Sequence, residues 1–322
     1  MKSKSVRFTT GLILCLVLVL SAACSSPTVQ EAVEAPVVEE GSGEAPVVED
    51  SNDGAASEAA AQEVEAAEAG NLEQEEESED SLPPEPQQVP FLAADGYEQV
   101  GTYYPGAKNP GPLVFLMHWA PGDQTDWDAI APWLQNRGMP APENVGPEKP
   151  WLDASWFPDL GENNSFGVFA FTFRHCEGGC SEFDREGWLN DAYGAYEAAL
   201  TLPGVDPERM VIIGASIGAD GAADACLDGC LGALSLSPGD YLGVNYSEAV
   251  IAAEEAGKPF WCLAAESDTP SYTACSTAEG EQYRSIFYPG SEHGMALVVP
   301  DTYDPDTMQV VLEFLDLTIG LK

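Results

Sequence analysis

The segment MVIIGASIG, residues 210–218, decides the fold that this sequence predicts. Its first four residues are apolar, which is typical of a strand buried on both faces of a sheet. The alanines that follow it favour a helix. Between the two, Gly214 and Gly218 flank Ser216 in the pattern G-x-S-x-G, the sharp strand-to-helix turn that presents a serine hydroxyl. Glycine is expected at both positions because a Cβ would clash with the neighbouring backbone in so tight a turn.

Asp268 and His293 follow Ser216 along the chain and complete a candidate catalytic triad. A serine hydroxyl is a weak nucleophile until an imidazole accepts its proton, and a carboxylate must hold that imidazole in the correct tautomer. The alternative acid is Asp240, which follows an earlier predicted strand. Asp268 itself has a competing interpretation as a helix N-cap before Thr269.

Strands and helices alternate along the domain predicted at residues 91–322, as a doubly wound parallel sheet requires. Strands are predicted at residues 100–104, 112–117, 168–173, 210–213, 231–236, 260–265 and 285–288. Helices are predicted at residues 127–137, 188–202, 247–256 and 306–317. Ser247 is the expected N-cap of the third helix, and residues 138–165 are expected to form an irregular insertion over the site.

Residues 113–317 resemble the α/β-hydrolases of the dienelactone-hydrolase or small-esterase type. Four features carry the resemblance in order: the turn at Ser216, an upstream loop containing His118, an aspartate after a later strand, and His293 followed by glycine. The resemblance implies an α/β-hydrolase fold, with a mostly parallel doubly wound sheet and flanking helices. It also implies a serine hydrolase, most simply a carboxylic-ester hydrolase, that forms an acyl-enzyme at Ser216 with His293 as base and then acid.

The loop HWAPG, residues 118–122, is expected to contribute half of an oxyanion hole. The other half would be the backbone N–H of Ile217, the residue after the nucleophile. Either Trp119 or Ala120 could supply the second N–H, and we favour Ala120. Members of the family commonly have glycine after the loop histidine, so Trp119 departs from the pattern and is expected to lie at the mouth of the site as a substrate-binding residue. His118 is expected to brace the loop rather than to act as a base.

Arg174 and His175 end the strand predicted at residues 168–173. They are candidate substrate-binding residues, because open α/β sheets bind ligands at the carboxyl ends of their strands. The guanidinium of Arg174 could pair with a substrate carboxylate. The alternative is an ion pair within the protein, which is easily formed in so acidic a chain.

Residues 1–23 resemble a bacterial lipoprotein signal peptide. Three basic residues precede an apolar stretch at residues 11–20, and small residues then lead to Cys24. Ser21 stands where such signals usually carry leucine, and the alternative is an ordinary cleaved signal peptide with an incidental cysteine. We expect Cys24 to carry the lipid, palmitate included, and to anchor the protein outside the cytoplasm at a bacterial membrane.

Residues 24–90 are predicted to be an acidic disordered tether. They contain 19 acidic residues and neither lysine nor arginine, so they cannot bury enough apolar surface to fold. Residues 91–322 remain acidic, with 35 acidic and nine basic residues, which argues against nucleic acid as a partner. We expect a small-molecule ester as substrate and a monomeric protein. The sequence shows neither a metal-ligand cluster nor a dinucleotide fingerprint, so we expect no metal and no cofactor.

Six cysteines lie in the predicted domain, an even number that favours disulfides in an exported protein. Their spacing predicts the local pairs Cys176–Cys180, Cys226–Cys230 and Cys262–Cys275, among fifteen possible connectivities. Zinc binding is the weaker alternative, because the only histidine near a cysteine pair is His175.

Two other activities would use the same triad, namely peptide hydrolysis and acyl transfer, since the fold does not determine the substrate. A function of a different class is also open: a binding lipoprotein that keeps the hydrolase scaffold without its catalysis. The complete triad argues against a non-catalytic binding function. Trp119 is compatible with such a function, because it departs from the family pattern in the loop expected to form the oxyanion hole.

Overall fold

The structure, a computed structural model, describes residues 82–322. The predicted signal peptide, Cys24 and all but the end of the predicted tether lie outside the described residues. Among residues 82–322, no helix combines the length and the apolar character needed to cross a bilayer.

Eight strands form one sheet in this part of the chain. In chain order they are β1 (Gln87–Leu92), β2 (Glu98–Tyr104), β3 (Gly111–Met117), β4 (Gly167–Phe171), β5 (Val205–Ala215), β6 (Cys230–Leu236), β7 (Phe260–Ala265) and β8 (Tyr283–Tyr288). Their order across the sheet is β1-β2-β4-β3-β5-β6-β7-β8. Strand β2 runs antiparallel to β1 and β4, and all the other pairs are parallel.

Six α-helices connect or follow these strands. They are α1 (Ile130–Gln135), α2 (Arg185–Leu200), α3 (Ile217–Asp224), α4 (Tyr246–Glu255), α5 (Thr269–Thr277) and α6 (Thr307–Thr318). Short 3-10 helices occur at Gln124–Trp127, Pro150–Leu152, Ala154–Trp156 and Gly294–Leu297.

The sheet separates two hydrophobic cores. Alternate residues of β3 point to opposite faces, so that Phe115 lies in the core under α2 to α5 and Leu116 in the core under α1 and α6. All seven residues of β3 are buried, as expected of a strand covered on both sides. The predicted fold class, a mostly parallel α/β sheet with flanking helices, is therefore confirmed.

The first strand begins within the segment predicted to be tether and continues into the predicted domain. β1 reads QQVPFL and pairs with β2, so the sheet starts at Gln87, four residues before the expected beginning of the domain. Its residues alternate between exposed and less exposed positions, and it lies at the edge of the sheet, where a proline such as Pro90 is tolerated.

Two helix predictions need correction. The helix predicted at residues 127–137 is a 3-10 turn followed by the short helix α1, which ends at Asn136 in the left-handed conformation. The N-cap of α4 is Asn245 rather than Ser247, because the Asn245 side chain accepts a hydrogen bond from the N–H of Glu248. Asparagine and serine are nearly equivalent caps, so the sequence alone did not separate them.

The three local disulfides form as predicted. Cys176–Cys180 closes the loop after β4, and Cys226–Cys230 joins the end of α3 to the start of β6. Cys262–Cys275 connects β7 to α5 and so fixes the helix that begins after Asp268.

Candidate active site

Ser216 occupies the sharp turn between β5 and α3 that the sequence predicted. Its backbone has φ 54° and ψ −115°, a strained conformation for a residue with a side chain. The chain packs closely around it: a Cβ on Gly214 would lie 1.8 Å from the Gly218 carbonyl oxygen. A Cβ on Gly218 would lie 2.3 Å from the carbonyl oxygen of Met117. Both glycines are therefore required sterically.

Ser216, His293 and Asp268 form a continuous chain of hydrogen bonds. His293 Nε2 lies 2.7 Å from Ser216 Oγ, and His293 Nδ1 lies 2.7 Å from Asp268 Oδ2. Asp268 follows β7 and His293 follows β8, so the ends of neighbouring parallel strands bring the two side chains to β5. The serine is 4% exposed. Asp268 occupies the N-cap position of α5 but makes no side-chain cap bond there, since its carboxylate is directed to the imidazole.

Asp240, the alternative acid, has a different partner. Its Oδ1 accepts a hydrogen bond from the N–H of Tyr246 at 2.7 Å, and its Oδ2 accepts one from the Asn245 side chain at 3.2 Å. Asp240 therefore holds the start of α4, and Asp268 is the carboxylate on His293.

His118 braces the loop after β3, as predicted. The N–H of Phe173 donates to His118 Nε2 at 2.9 Å, so Nδ1 carries the proton and donates to the Trp119 carbonyl at 2.7 Å. Burial lowers the pKa of His118 to about 4, because an imidazolium is poorly solvated there. A neutral, doubly hydrogen-bonded imidazole positions the loop and has no free nitrogen for a substrate.

The backbone N–H groups expected to form the oxyanion hole have no acceptor within the described part of the protein. This holds for Ile217 and for both candidate partners in the loop, Trp119 and Ala120. The Ala120 carbonyl is fixed by the N–H of Cys180 at 2.7 Å. Ala120 as the second donor stays a prediction.

Trp119 lies beside the triad histidine. Its indole ring would be 2.9 Å from a Cβ on Gly294, the residue after His293. The indole N–H donates to Asp126 Oδ2 at 2.7 Å, and its ring packs edge-on against Trp151 with centroids 5.6 Å apart. The irregular insertion thus supports Trp119 through Trp151, and the expected role of the indole in substrate binding stays a prediction.

Arg174 is not free to bind a substrate carboxylate, which corrects one of the two interpretations of this residue. Its guanidinium forms two hydrogen bonds to Asp95 at 2.7 and 2.8 Å, and two to Asp191 at 2.9 and 2.7 Å. It also stacks on Tyr97, 4.4 Å from the ring centroid. The hydrogen bonds from Arg174 lower the pKa of Asp95 to about 2. The guanidinium is thus committed to ion pairs within the protein.

His175 follows Arg174 in the chain, and its ring is 6.2 Å from that of Tyr97, on which Arg174 stacks. Within residues 82–322, no hydrogen bond joins its side chain to Ser216, Asp268 or His293. Its expected role in substrate binding stays a prediction.

The loop after β6 contains two site residues that the sequence analysis missed. The fully buried Ser237 accepts a hydrogen bond from the N–H of Gly294 at 3.0 Å, and the Tyr241 ring packs edge-on against His293 with centroids 6.0 Å apart. Asp220 on α3 holds this loop by accepting hydrogen bonds from the N–H groups of Gly239 and Tyr241. The motif SPGD at residues 237–240 marks this loop in the sequence. Of its residues, only Asp240 was considered as a site residue, and Ser237 was not.

Two carboxylates on α3 lie behind the site in surroundings that disfavour charge. Burial raises the pKa of Asp220 to about 7. Burial, together with the charge of Asp220, raises the pKa of Asp224 to about 8. Asp224 Oδ2 is buried with no hydrogen-bond partner among the described residues. Charging Asp224 therefore costs folding free energy.

Replacing Asp224 with asparagine is expected to flatten the pH dependence of stability. Because the folded pKa lies above the unfolded value of 3.8, the wild type loses stability as pH rises from the unfolded pKa to the folded one. An asparagine side chain does not ionise. At pH 8.5 the free energy of unfolding of the variant should therefore exceed that of the wild type by about 1–3 kcal/mol. Urea unfolding of both proteins, at about pH 5 and 8.5, measures this difference.

Asp228→Asn is the matched control, because this aspartate is exposed. It should follow the wild-type pH profile. An Asp224→Asn variant that is equally destabilised at both pH values would contradict the account.

No family model matches this chain, and no curated protein matches it. Solved structures do resemble it. An esterase from Pyrococcus furiosus is 14% identical with a TM-score of 0.49, over 78% of this chain and 96% of that one. Dienelactone hydrolase from Anabaena variabilis is 13% identical with a TM-score of 0.47, over 74% of this chain and 99% of the hydrolase.

A puromycin-hydrolysing peptidase from Mycobacterium tuberculosis is 15% identical with a TM-score of 0.49, over 74% of this chain and 40% of the peptidase. Similarity at this level is limited to the general arrangement of strands and helices. It assigns no substrate to this chain.

Proposed function

We propose that the protein is a serine hydrolase that cleaves carboxylic esters through an acyl-enzyme intermediate. The observation that carries the proposal is the hydrogen-bonded chain from Ser216 through His293 to Asp268 at a strained turn. Strain of this kind is retained where the surrounding structure enforces it, most often at functional sites. A serine held only for packing would need neither the strained backbone nor the paired imidazole.

In this mechanism Ser216 Oγ attacks the ester carbonyl carbon while His293 Nε2 takes the hydroxyl proton. Asp268 accepts a hydrogen bond from His293 Nδ1 and stabilises the imidazolium. The N–H of Ile217 and that of Trp119 or Ala120 would donate to the developing oxyanion. His293 then protonates the leaving alcohol, and a water molecule, deprotonated by His293, releases the acid and regenerates Ser216.

The surroundings of the triad favour a small, uncharged substrate. Tyr241 packs edge-on against the imidazole and Trp119 lies against Gly294, the next residue, while Ser216 is nearly buried. The whole chain carries a formal net charge of −42, which repels anionic substrates. These features support short-chain esters as the first substrates to test.

The purified full chain is expected to hydrolyse p-nitrophenyl acetate and butyrate, and to hydrolyse p-nitroacetanilide much more slowly. Nitrophenolate is a better leaving group than a nitroanilide, so an acyl-enzyme mechanism should release the phenol faster. Initial rates of nitrophenol and nitroaniline release measure the preference. Equal or faster release of the aniline would favour a peptidase, and no release from folded protein would favour a binding protein.

We also propose that the protein is a lipoprotein anchored through Cys24 outside the cytoplasm. The support is the signal-like pattern of residues 1–23 and the acidic composition of residues 24–90. Loss of palmitate incorporation in Cys24→Ala would agree with the anchor. Incorporation that persists in this variant would contradict it.

A further inference from the structure

A loop closed by a disulfide lies against the loop expected to form part of the oxyanion hole. The first, the disulfide loop, is residues 176–180, closed by the bond between Cys176 and Cys180. The second, the oxyanion loop, is residues 118–123, which follow β3. The N–H of Cys180 donates to the Ala120 carbonyl at 2.7 Å. The end of the disulfide loop therefore bonds directly to the residue predicted to supply the second oxyanion N–H.

Two further contacts join the same loops. The N–H of Gly178 donates to Asp123 Oδ2 at 2.7 Å. The backbone of Gly179 lies so close to the oxyanion loop that a Cβ there would be 3.0 Å from the Pro121 carbonyl oxygen. Three consecutive residues of the disulfide loop thus touch the oxyanion loop.

The contact at Ala120 completes the fixation of its backbone on both sides. The Trp119 carbonyl accepts hydrogen bonds from His118 Nδ1 at 2.7 Å and from the N–H of Gly122 at 3.2 Å. In a trans peptide the N–H points opposite to the carbonyl, so these bonds direct the N–H of Ala120. The bond from Cys180 holds the peptide that follows. An N–H held in this way can be aimed at one point in the site.

The disulfide is what connects this contact to the hydrophobic core. Cys176 is fully buried in the core under α2 to α5. Between the two cysteines, Gly178 and Gly179 have φ angles of 70° and 115°, and glycine leaves the chain more conformational freedom than any other residue. Without the covalent bond, only this glycine-containing segment would connect Cys180 directly to Cys176.

We propose that the Cys176–Cys180 disulfide positions the oxyanion hole, by holding the N–H of Cys180 on the Ala120 carbonyl and so keeping the N–H of Ala120 directed at the oxyanion. The inference rests on the proposed function, since an oxyanion develops only in that reaction. A hydrogen-bond donor lowers the barrier only if it is already in place when the charge develops. A displacement of about 1 Å can cost about 10²-fold in rate.

The first test compares two double alanine variants of the full chain with p-nitrophenyl butyrate. Removing Cys176 and Cys180 should lower kcat about 10- to 100-fold. KM should stay within about twofold, because the lost interaction acts on the transition state alone. The matched control removes Cys226 and Cys230, which are also four residues apart but lie between α3 and β6. Both variants lose an equal loop constraint, and the control should keep kcat within about twofold of the wild type.

A second pair of variants keeps all three disulfides intact. Gly179→Ala places a methyl group against the Pro121 carbonyl and should displace the oxyanion loop, lowering kcat by about five- to tenfold. Gly178→Ala is the matched control, because it also has a positive φ but its Cβ would meet no atom within 4 Å. Its kcat should stay within about twofold of the wild type. If the double cysteine variant does not fold, this pair decides the question.

Hydrogen exchange measures the position of the loop without the reaction. Deuterium uptake by the peptide that contains residues 118–123 should rise when Cys176 and Cys180 are replaced, because the loop opens more often. It should not rise when Cys226 and Cys230 are replaced.

The outcomes separate this inference from the proposed function. Ester turnover by the wild type, with the same kcat in both folded double cysteine variants, would overturn the inference alone. So would a raised KM with unchanged kcat, which indicates a role in substrate binding, or unchanged exchange of residues 118–123. A wild type that hydrolyses no ester would overturn the proposed function, and this inference with it.

Discussion

Replacing Ser216 with alanine is expected to lower kcat/KM for p-nitrophenyl butyrate by about 10⁴- to 10⁶-fold, the range found when a serine nucleophile is removed. The fold should persist, because the hydroxyl is bonded to His293 and does not cap α3. Initial rates with the ester, together with the circular dichroism spectrum, measure both effects.

Ser276→Ala is the matched control for this substitution. Ser276 is an exposed serine on α5 whose hydroxyl donates only to the Thr273 carbonyl within its own helix. Its loss should leave turnover within about twofold of the wild type, as for an ordinary surface change. Ser216→Ala activity within tenfold of the wild type would mean that another residue carries out the attack.

Replacing Asp268 with asparagine is expected to lower kcat by about 10³- to 10⁴-fold. An amide N–H₂ facing His293 Nδ1 would favour the tautomer with the proton on Nε2. That tautomer cannot accept the proton of Ser216. The measurement is kcat for the same ester, with the circular dichroism spectrum to confirm that the variant is folded.

Asp240→Asn tests the alternative acid in the same experiment. Asp240 bonds Tyr246 and Asn245 at the start of α4, so its substitution should change kcat by less than about tenfold and act mainly on stability. If Asp240→Asn abolished activity and Asp268→Asn did not, the assignment of the triad acid would be wrong.

The sequence predicted those parts of the site that depend on local rules. The glycines around Ser216 are required by the close approach of the backbone within a few residues. Apolar runs such as the one in β3 indicate buried strands regardless of their neighbours. Because parallel strands end at one edge of a sheet, residues after β7 and β8 could be placed beside the serine before the structure was known.

The sequence could not predict features that depend on which distant residues meet. Arg174 is neutralised by Asp95, which is 79 residues away in the chain. No local sequence pattern predicts that ion pair. Ser237 supports the loop of His293 through Gly294, 57 residues further on. The tether was predicted from its acidic composition to extend to residue 90, whereas pairing with β2 makes residues 87–90 part of β1.

The most direct test of the central claim is labelling of the folded full chain with a fluorophosphonate, followed by digestion and mass spectrometry to locate the adduct. We predict one equivalent of label on Ser216, no label after heat denaturation, and none in Ser216→Ala. These results require a serine activated by its folded surroundings. An adduct on any other residue, or no adduct on folded protein, would contradict the assignment of Ser216 as the nucleophile.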